Sequence, residues 1–514
     1  MIAAPTPTPT PSASAGPVPA APTGTGEFRA PVLRGLAWQL GGRGTLQLSQ
    51  VLVVVLLAHL LTPRQYGIAG MVLVVLSFEP LLAGVGFTAG LVQRSVITEQ
   101  DISTAFWTNA AVGLVVCVVG VAVSPLVADF YGTAEVRPLF AVLSVVFFIS
   151  SLSSVQGQLL VREMNFRSLE IRGLAAGLVG AVAAIVTAAE GGGAWALIVQ
   201  QLAYYSVSFV LLWRFSKWRP RLVYSRDSLR ELRRFGGNVS GTMLMEQLTQ
   251  NSDNVLVGRF LGASALGLYS FGYSLIMLPF TRITSPLYQV LYPVFSRVQD
   301  DRPRLSSLWL RSLRLMAVVM MPAMLGFIVV APDLIDVVFG QRWHSATPVV
   351  QILSVVGLAV ALQGLNTVLL SALDRTQLLF RYSCVLFVAS LISFVVGLQW
   401  GIIGVSACFA AVNVVLQPVY LSLTARTIGV GLSEWVRTLS GVMQATAVAV
   451  VAALLTRGLL LADGVSTPVR LLSTILAAAA LYGCVLIWRA PEVVLEIRQL
   501  RPRRSAAPAG VAAA

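Results

Sequence analysis

Long apolar runs, broken by isolated polar residues, alternate along most of the chain with short segments rich in Gly, Pro and Arg. Fourteen runs are long enough to cross a hydrocarbon core of about 30 Å as helices. They lie near 37–61, 67–93, 105–128, 138–161, 169–189, 193–213, 235–258, 266–296, 309–331, 345–372, 380–399, 402–424, 438–461 and 468–488. Several contain Gly and Pro, which membrane helices tolerate better than soluble ones. The pattern predicts an all-α, polytopic membrane protein with about 14 transmembrane helices.

The first part of this pattern returns two hundred residues later. Gly41, Gln47, Leu48, Gln50, Val55, Leu56, Leu61 and Gly67 meet the same residue types at Gly241, Gln247, Leu248, Gln250, Val255, Leu256, Leu261 and Gly267. A second echo pairs Leu126–Gly132 with Leu334–Gly340, and a third pairs FAVLSV from Phe140 with VQILSV from Val350. Each copy holds six predicted spans, an even number, so the copies run parallel about an axis along the membrane normal. Two spans follow outside the repeat. A hydrophobic chain built twice usually carries something across the membrane at the seam between its halves. The expected organisation is a tail over 1–30, a six-helix lobe over 31–213, a basic linker over 214–234, a second lobe over 235–425, two added helices over 426–490 and a basic tail over 491–514.

Composition agrees. Apolar residues make up 56%, charged residues 11%, and mean hydropathy is +0.80. A soluble protein carries roughly a quarter charged residues, so a water-solvated globule is excluded. Of the 36 Lys and Arg, 28 fall on one side of the predicted topology and six on the other: Arg64, Arg137, Arg259, Arg342, Arg457 and Arg470. The positive-inside rule then puts both termini in the cytoplasm. The net charge of +14 is therefore topology signal, with an added attraction to anionic headgroups, and calls for no nucleic acid.

The Pro/Ala/Thr/Ser tract over 1–28 should be disordered, and it lacks the basic start and apolar core of a signal peptide. Cys117, Cys384, Cys408 and Cys484 sit inside apolar runs as inert thiols. His59 and His344 are too far apart for a metal cluster. The linker reads as a surface-held connection, and Asp227 to Arg234 could form a short amphipathic helix.

Five ionisable residues within spans are candidates for the bilayer interior: Arg43, Glu79, Glu246, Asp253 and Arg282. Each costs about 2.5–3.5 kcal/mol at the bilayer centre, on the order of 12–18 kcal/mol for all five against lipid. They should instead face one another or water. Arg43, Gln47 and Gln50 lie at i, i+4 and i+7, within about 60° of arc on a helix. Glu246, Gln250 and Asp253 repeat that spacing in the seventh span, so two polar stripes would confront each other across the seam. Simpler readings stand beside this one. Arg43 could snorkel to the interface, Asp253 could pair purely for structure, and Glu79 could satisfy backbone freed by Pro80. Arg282, mid-span after Pro279, has no interface nearby. Tyr269, Tyr273, Tyr288 and Tyr292 along the eighth span could line a sugar path or simply pack. Trp107, Trp195, Trp213, Trp218, Trp343 and Trp400 fit an interfacial belt.

Nothing catalytic emerges. There is no Ser/His/Asp set and no phosphate loop with a lysine, Lys217 being the chain's one lysine. Gly191, Gly192 and Gly193 form a turn. The expectation is a non-enzyme without cofactor.

Taken together, LLTPRQYGIAG from Leu60, GFTAGLVQR from Gly86, AFWTN from Ala105, LLVREMNFRSL from Leu159, GGAWALIVQQ from Gly192, DNVLVGRFLGASALGLYSFGY from Asp253 and LYPVFSRVQDD from Leu291 resemble the polysaccharide exporters of the MOP superfamily, especially the Wzx-type lipopolysaccharide and exopolysaccharide flippases. The resemblance implies two six-helix lobes in a V with two helices appended, in a bacterial cytoplasmic (inner) membrane. It implies an undecaprenyl-pyrophosphate-linked oligosaccharide as cargo, moved by alternating access, with membrane lipids and other polysaccharide-assembly membrane proteins as partners. On this reading Arg43 and Arg282 meet the diphosphate. Glu79, Glu246, Asp253, Gln47, Gln50 and Gln250 contact sugar hydroxyls or accept a coupling H+ or Na+. The rival within the superfamily is a cation-coupled multidrug exporter, which would be expected to carry acids in the first span, where this chain has Arg43 and none.

Overall fold

The structure is a computed structural model and describes residues 44–82, 97–163, 165–226, 244–245, 247–248, 250–280 and 284–493. Contacts separate Ser49–Val494 from a unit of Met1–Leu48 with Leu495–Ala514, of which only the start of the first helix is described. Among the described residues the fold is helical, with no strand.

The first copy comprises α1 (Gly44–Leu60), α2 (Pro63–Leu73), a 3₁₀ turn (Val74–Phe78), α3 (Glu79–Leu82), α4 (Glu99–Tyr131), α5 (Val136–Arg162), α6 (Phe166–Ala189) and α7 (Trp195–Phe215). The second comprises α8 (250–261), α9 (Ala263–Pro279), α10 (Ser285–Arg297), α11 (Arg302–Val338), α12 (Thr347–Ala372), α13 (Thr376–Gly397) and α14 (Gly401–Thr427). The appended pair is α15 (Leu432–Ala462) and α16 (Thr467–Arg489).

Nine helical stretches among the described residues are long and apolar enough to cross a membrane. One of them, Thr376–Thr427, folds back at Leu398–Gly401 so that α13 and α14 pack together. A further pair, Leu52–Leu60 and Pro63–Phe78, bends by 119°; this is the turn between the first two predicted runs. The chain is thus a multi-pass membrane protein. Within the eighth predicted run, 266–296, the described residues form α9 up to Pro279 and α10 from Ser285, and 281–283 between them lie outside the described residues. Pro279 cannot donate to the helix ladder, and Phe280 and Thr284, on either side of 281–283, are π-helical.

Local sequence fixes the turns. Thr62 caps α2: its hydroxyl accepts from Gln65 N at 3.3 Å and Gln65 Oε1 accepts from Thr62 N at 2.9 Å, with Pro63 leading the helix. Thr98 and Asp101 make the same box before α4. Gly262 joins α8 to α9 at φ 84°, a conformation open to glycine.

Several turns gather on one face, here the Thr62 face. Arg64 pairs with Glu135 at 2.8 Å, Gly193 lies against Gln65, and the Arg259 guanidinium sits 5.6 Å from the Phe130 ring. Within the first copy, α4 packs on α5, α5 on α7 and α6 on α7. Close approach of α4 to α5 depends on small residues: a Cβ on Gly113 would fall 2.1 Å from Ser151 Oγ.

The appended helices rest on α11. Asp333, buried near the end of α11, accepts from Arg457 Nε at 2.8 Å and Arg470 NH2 at 2.6 Å. Arg314 and Glu492 form a second ion pair toward the other end.

Candidate functional site

The α8–α9 hairpin positions the one predicted acid described in the second copy. Asp253 is 3% exposed. Its Oδ2 accepts from the Tyr269 hydroxyl at 2.9 Å, and its Oδ1 accepts from Asn254 N at 2.7 Å. One residue on, Ser270 Oγ donates to Asn254 Oδ1 at 2.9 Å. These ties satisfy part of a carboxylate that would be costly if left bare in an apolar interior.

Asp253 also lines a cavity of about 1030 Å³, slightly beyond the usual range of about 300–1,000 Å³ for small-molecule sites. The wall is drawn from α8, α9, α10, α12, α13 and α14. It presents amides and hydroxyls (Gln250, Gln363, Thr367, Gln377, Ser390, Asn413) interleaved with rings (Tyr273, Phe280, Tyr288, Phe380, Phe394, Phe409). Along α13 the lining runs from Thr376 to Phe394, about 27 Å of helix, close to the full depth of a hydrocarbon core. Tyr288 reaches the wall because Gly364 leaves room: a Cβ there would fall 2.2 Å from the Tyr288 ring. The Tyr288 hydroxyl donates to Ala361 O.

Of the predicted site residues, Gln250 and Asp253 share this cavity. Glu79 lies in the first copy, at the start of α3, where its carboxylate accepts from Ser150 Oγ on α5. Arg172 on α6 and Tyr205 on α7 are within electrostatic reach of that carboxylate. Arg43, Glu246 and Arg282 lie outside the described residues, and Gln47 and Gln50 fall on a turn of α1 whose side chains are not described.

Two residues of interest were not singled out from the sequence, and a third was expected in the interfacial belt. Arg381, in the second turn of α13, is exposed, lines the cavity, and has no ion-pair partner among the described residues. Its place at the edge of the run 380–399 made it look like topology signal. Arg172, three residues inside the run 169–189, carries a buried Nε without a hydrogen-bond partner among the described residues. Trp343 is the third. It is fully buried rather than part of an interfacial belt, and its Nε1 donates to Ala58 O in the first copy at 2.8 Å.

Trp343 belongs to a seal between the copies on the Thr62 face. Its ring meets Tyr66 of the first copy edge-on at 5.6 Å and Phe271 of the second at 4.2 Å. Beside it α2 crosses α9, the main helix pair in contact between the copies among the described residues. A Cβ on Gly67 would lie 1.7 Å from Ala263 O, and one on Gly267 would lie 1.8 Å from Pro63 O.

Comparison with known proteins follows the same lines. Residues 56–348 match the family model described as "Polysaccharide biosynthesis protein". The chain is 28% identical over 362 residues to the lipopolysaccharide biosynthesis protein WzxC of Escherichia coli (strain K12), covering 70% of this chain and 74% of that one. It is 25% identical over 407 residues to the teichuronic acid biosynthesis protein TuaB of Bacillus subtilis (strain 168), covering 79% and 84%. It is 30% identical over 324 residues to the succinoglycan biosynthesis transport protein ExoT of Rhizobium meliloti (strain 1021), covering 63% and 65%. In fold it is similar to the lipid II flippase MurJ in an inward closed conformation, with TM-score 0.70, 12% identity and coverage of 86% and 97%. An inward-facing multidrug resistance MATE family transporter of the MOP superfamily gives TM-score 0.60, 16% identity and coverage of 73% and 93%. With its family match extending over more than half of its length, the chain belongs to the polysaccharide biosynthesis protein family and carries the fold of the MOP-superfamily transporters.

Proposed function

We propose that this chain is a flippase that moves a lipid-linked oligosaccharide, on the family resemblance one carried on undecaprenyl pyrophosphate, across the bacterial cytoplasmic membrane for polysaccharide assembly. Both termini and the Lys217 linker face the cytoplasm, and the Thr62 face is the outer one. The observation that carries the reading is the cavity of about 1030 Å³, in a chain whose relatives are named for lipopolysaccharide, teichuronic acid and succinoglycan synthesis.

Sugar hydroxyls crossing hydrocarbon lose their water, and each unpaired group costs several kcal/mol. Amides and hydroxyls along the wall replace those hydrogen bonds, and ring faces pack on the sugar's apolar CH groups. The prenyl tail stays in the bilayer. Arg381 meets the diphosphate at the cytoplasmic mouth, since a guanidinium offers paired donors to phosphate oxygens. Arg43, Gln47, Gln50, Glu246 and Arg282 extend the path. Asp253 and Glu79 contact sugar hydroxyls or take the coupling H+ or Na+. Opening of the Gly67–Gly267 crossing on the outer face releases the glycan.

The test is export in a strain lacking its own flippase, with membrane insertion followed by a fluorescent fusion. Arg282→Ala and Arg381→Ala should insert normally and lose most polysaccharide export. Full export from both would overturn the reading. Drug resistance conferred by the chain without polysaccharide export would favour the multidrug alternative.

A further inference from the structure

The connection between the copies is tied down in its first part. Arg221 N donates to Ser103 Oγ at 3.4 Å, and Ser225 N donates to Thr104 Oγ1 at 3.0 Å. Trp107 Nε1 donates to Arg221 O at 2.8 Å, and the Arg221 guanidinium pairs with Glu99 at 2.9 Å. Trp218 packs edge-on against Phe106 at 5.8 Å. Arg219 donates to the carbonyls of Trp213, Ser216 and Trp218, neutral acceptors that leave its charge in place. These bonds hold segment 216–225 against the N-terminal turns of α4.

A segment so held would be expected to turn its apolar side chains inward. Instead Leu222 is 90% exposed, Tyr224 52% and Val223 41%. Around them, Lys217 to Arg226 contains four cations and no acid, and all four cations are exposed. Lys217, Arg219 and Arg226 have no ion-pair partner among the described residues. The depth is also fixed. The strap's bonds land on Ser103, Thr104 and Trp107, where the apolar run of α4 begins, and on the last turn of α7 at Trp213. That is headgroup level, where indoles and arginines concentrate.

We infer that segment 216–226 is a lipid-docking strap, which lays Leu222, Val223 and Tyr224 into the headgroup boundary of an anionic phospholipid leaflet and holds the phosphates with Lys217, Arg219 and Arg226. Apolar area at a membrane surface adds to the attraction of basic residues for anionic lipid. The ties described above run to α4 and α7, both in the first copy, so the bound lipid engages that copy. The inference requires the strap to lie at a membrane surface and does not depend on what the chain transports.

The test uses the full chain with Cys117, Cys384, Cys408 and Cys484 replaced and a nitroxide attached at Leu222→Cys. The protein is placed in vesicles of phosphatidylcholine, alone or mixed with phosphatidylglycerol. Collision with oxygen, which prefers the bilayer, is compared with collision with a water-soluble nickel chelate. A label at exposed Ser307 serves as the aqueous reference. The inference expects the Leu222 label to be shielded from nickel at least several-fold relative to Ser307, and more so with phosphatidylglycerol. Lys217→Gln with Arg226→Gln, which leaves the backbone ties to Ser103, Thr104 and Trp107 intact, should remove the phosphatidylglycerol increment. Nickel access equal to that at Ser307 in both vesicles would overturn it, as a protein-facing strap would show. Shielding that ignores phosphatidylglycerol would overturn the anionic-lipid assignment.

Discussion

Gly67 and Gly267 occupy matching positions in the two copies and meet at one helix crossing, each pressed against backbone that its counterpart's copy supplies. Gly67 faces Ala263 O, Gly267 faces Pro63 O, and Pro63 and Ala263 are themselves repeat partners. The crossing is therefore symmetric within the molecule, and no side chain fits between its backbones. Valine at either glycine should hold the Thr62 face ajar. Thr367→Cys on the cavity wall, in a cysteine-replaced chain, should then react at least several-fold faster with an impermeant thiol reagent added outside cells. An unchanged rate would mean that the crossing is not a gate.

On the proposed function, exposed Arg381 in the cavity lining meets the diphosphate. Hydrogen bonds to charged groups contribute about 1.5–3 kcal/mol, roughly 10- to 150-fold in affinity. Arg381→Ala should weaken binding of a short-chain glycosyl diphosphate analogue by that factor in a calorimetric titration. Arg381→Lys should recover only part of it, having lost the paired donors.

Tyr269 supplies the side-chain hydrogen bond to Asp253. Tyr269→Phe strips a buried acceptor of its donor, at a cost of about 1–3 kcal/mol, and should lower the unfolding midpoint in detergent. Asp253→Asn in the same background should restore much of that loss, since it removes the buried carboxylate. If the two changes add with no recovery, the bond is not the link between them.

Asp333 clasps both appended helices through Arg457 and Arg470. Asp333→Ala leaves two guanidinium groups without their carboxylate. The cost should be about 2–3 kcal/mol, below the 3–5 of a fully buried pair because Arg457 keeps access to water. Protease susceptibility of the α15–α16 turn at Asp463–Gly464 should rise with it. No change in either readout would remove the clasp from the account.

The sequence disclosed the helical class and the repeat because periodicity and composition act over tens of residues. The predicted runs at 105–128, 138–161 and 169–189 lie within α4, α5 and α6. Side-chain partners were less legible. Glu79 and Asp253 look alike as lone acids in apolar runs, yet one meets Ser150 in the first copy and the other meets Tyr269 in the second. Only the packing of α3 on α5, and of α8 against α9, separates them. Trp343 shows the same limit. In a short turn between long runs a tryptophan reads as a belt residue, and its burial depends on where Ala58 is brought by the rest of the fold.

The central claim is that the two copies must part at the Thr62 face for a lipid-linked glycan to cross. The direct measurement is flipping of a fluorescent lipid-linked oligosaccharide by the purified chain in vesicles. Tyr66→Cys and Trp343→Cys, whose native rings lie 5.6 Å apart, are introduced in a cysteine-replaced background and bridged by a short bis-maleimide. Flipping before bridging and its loss afterwards is the predicted result; undiminished flipping by the bridged protein would contradict the account.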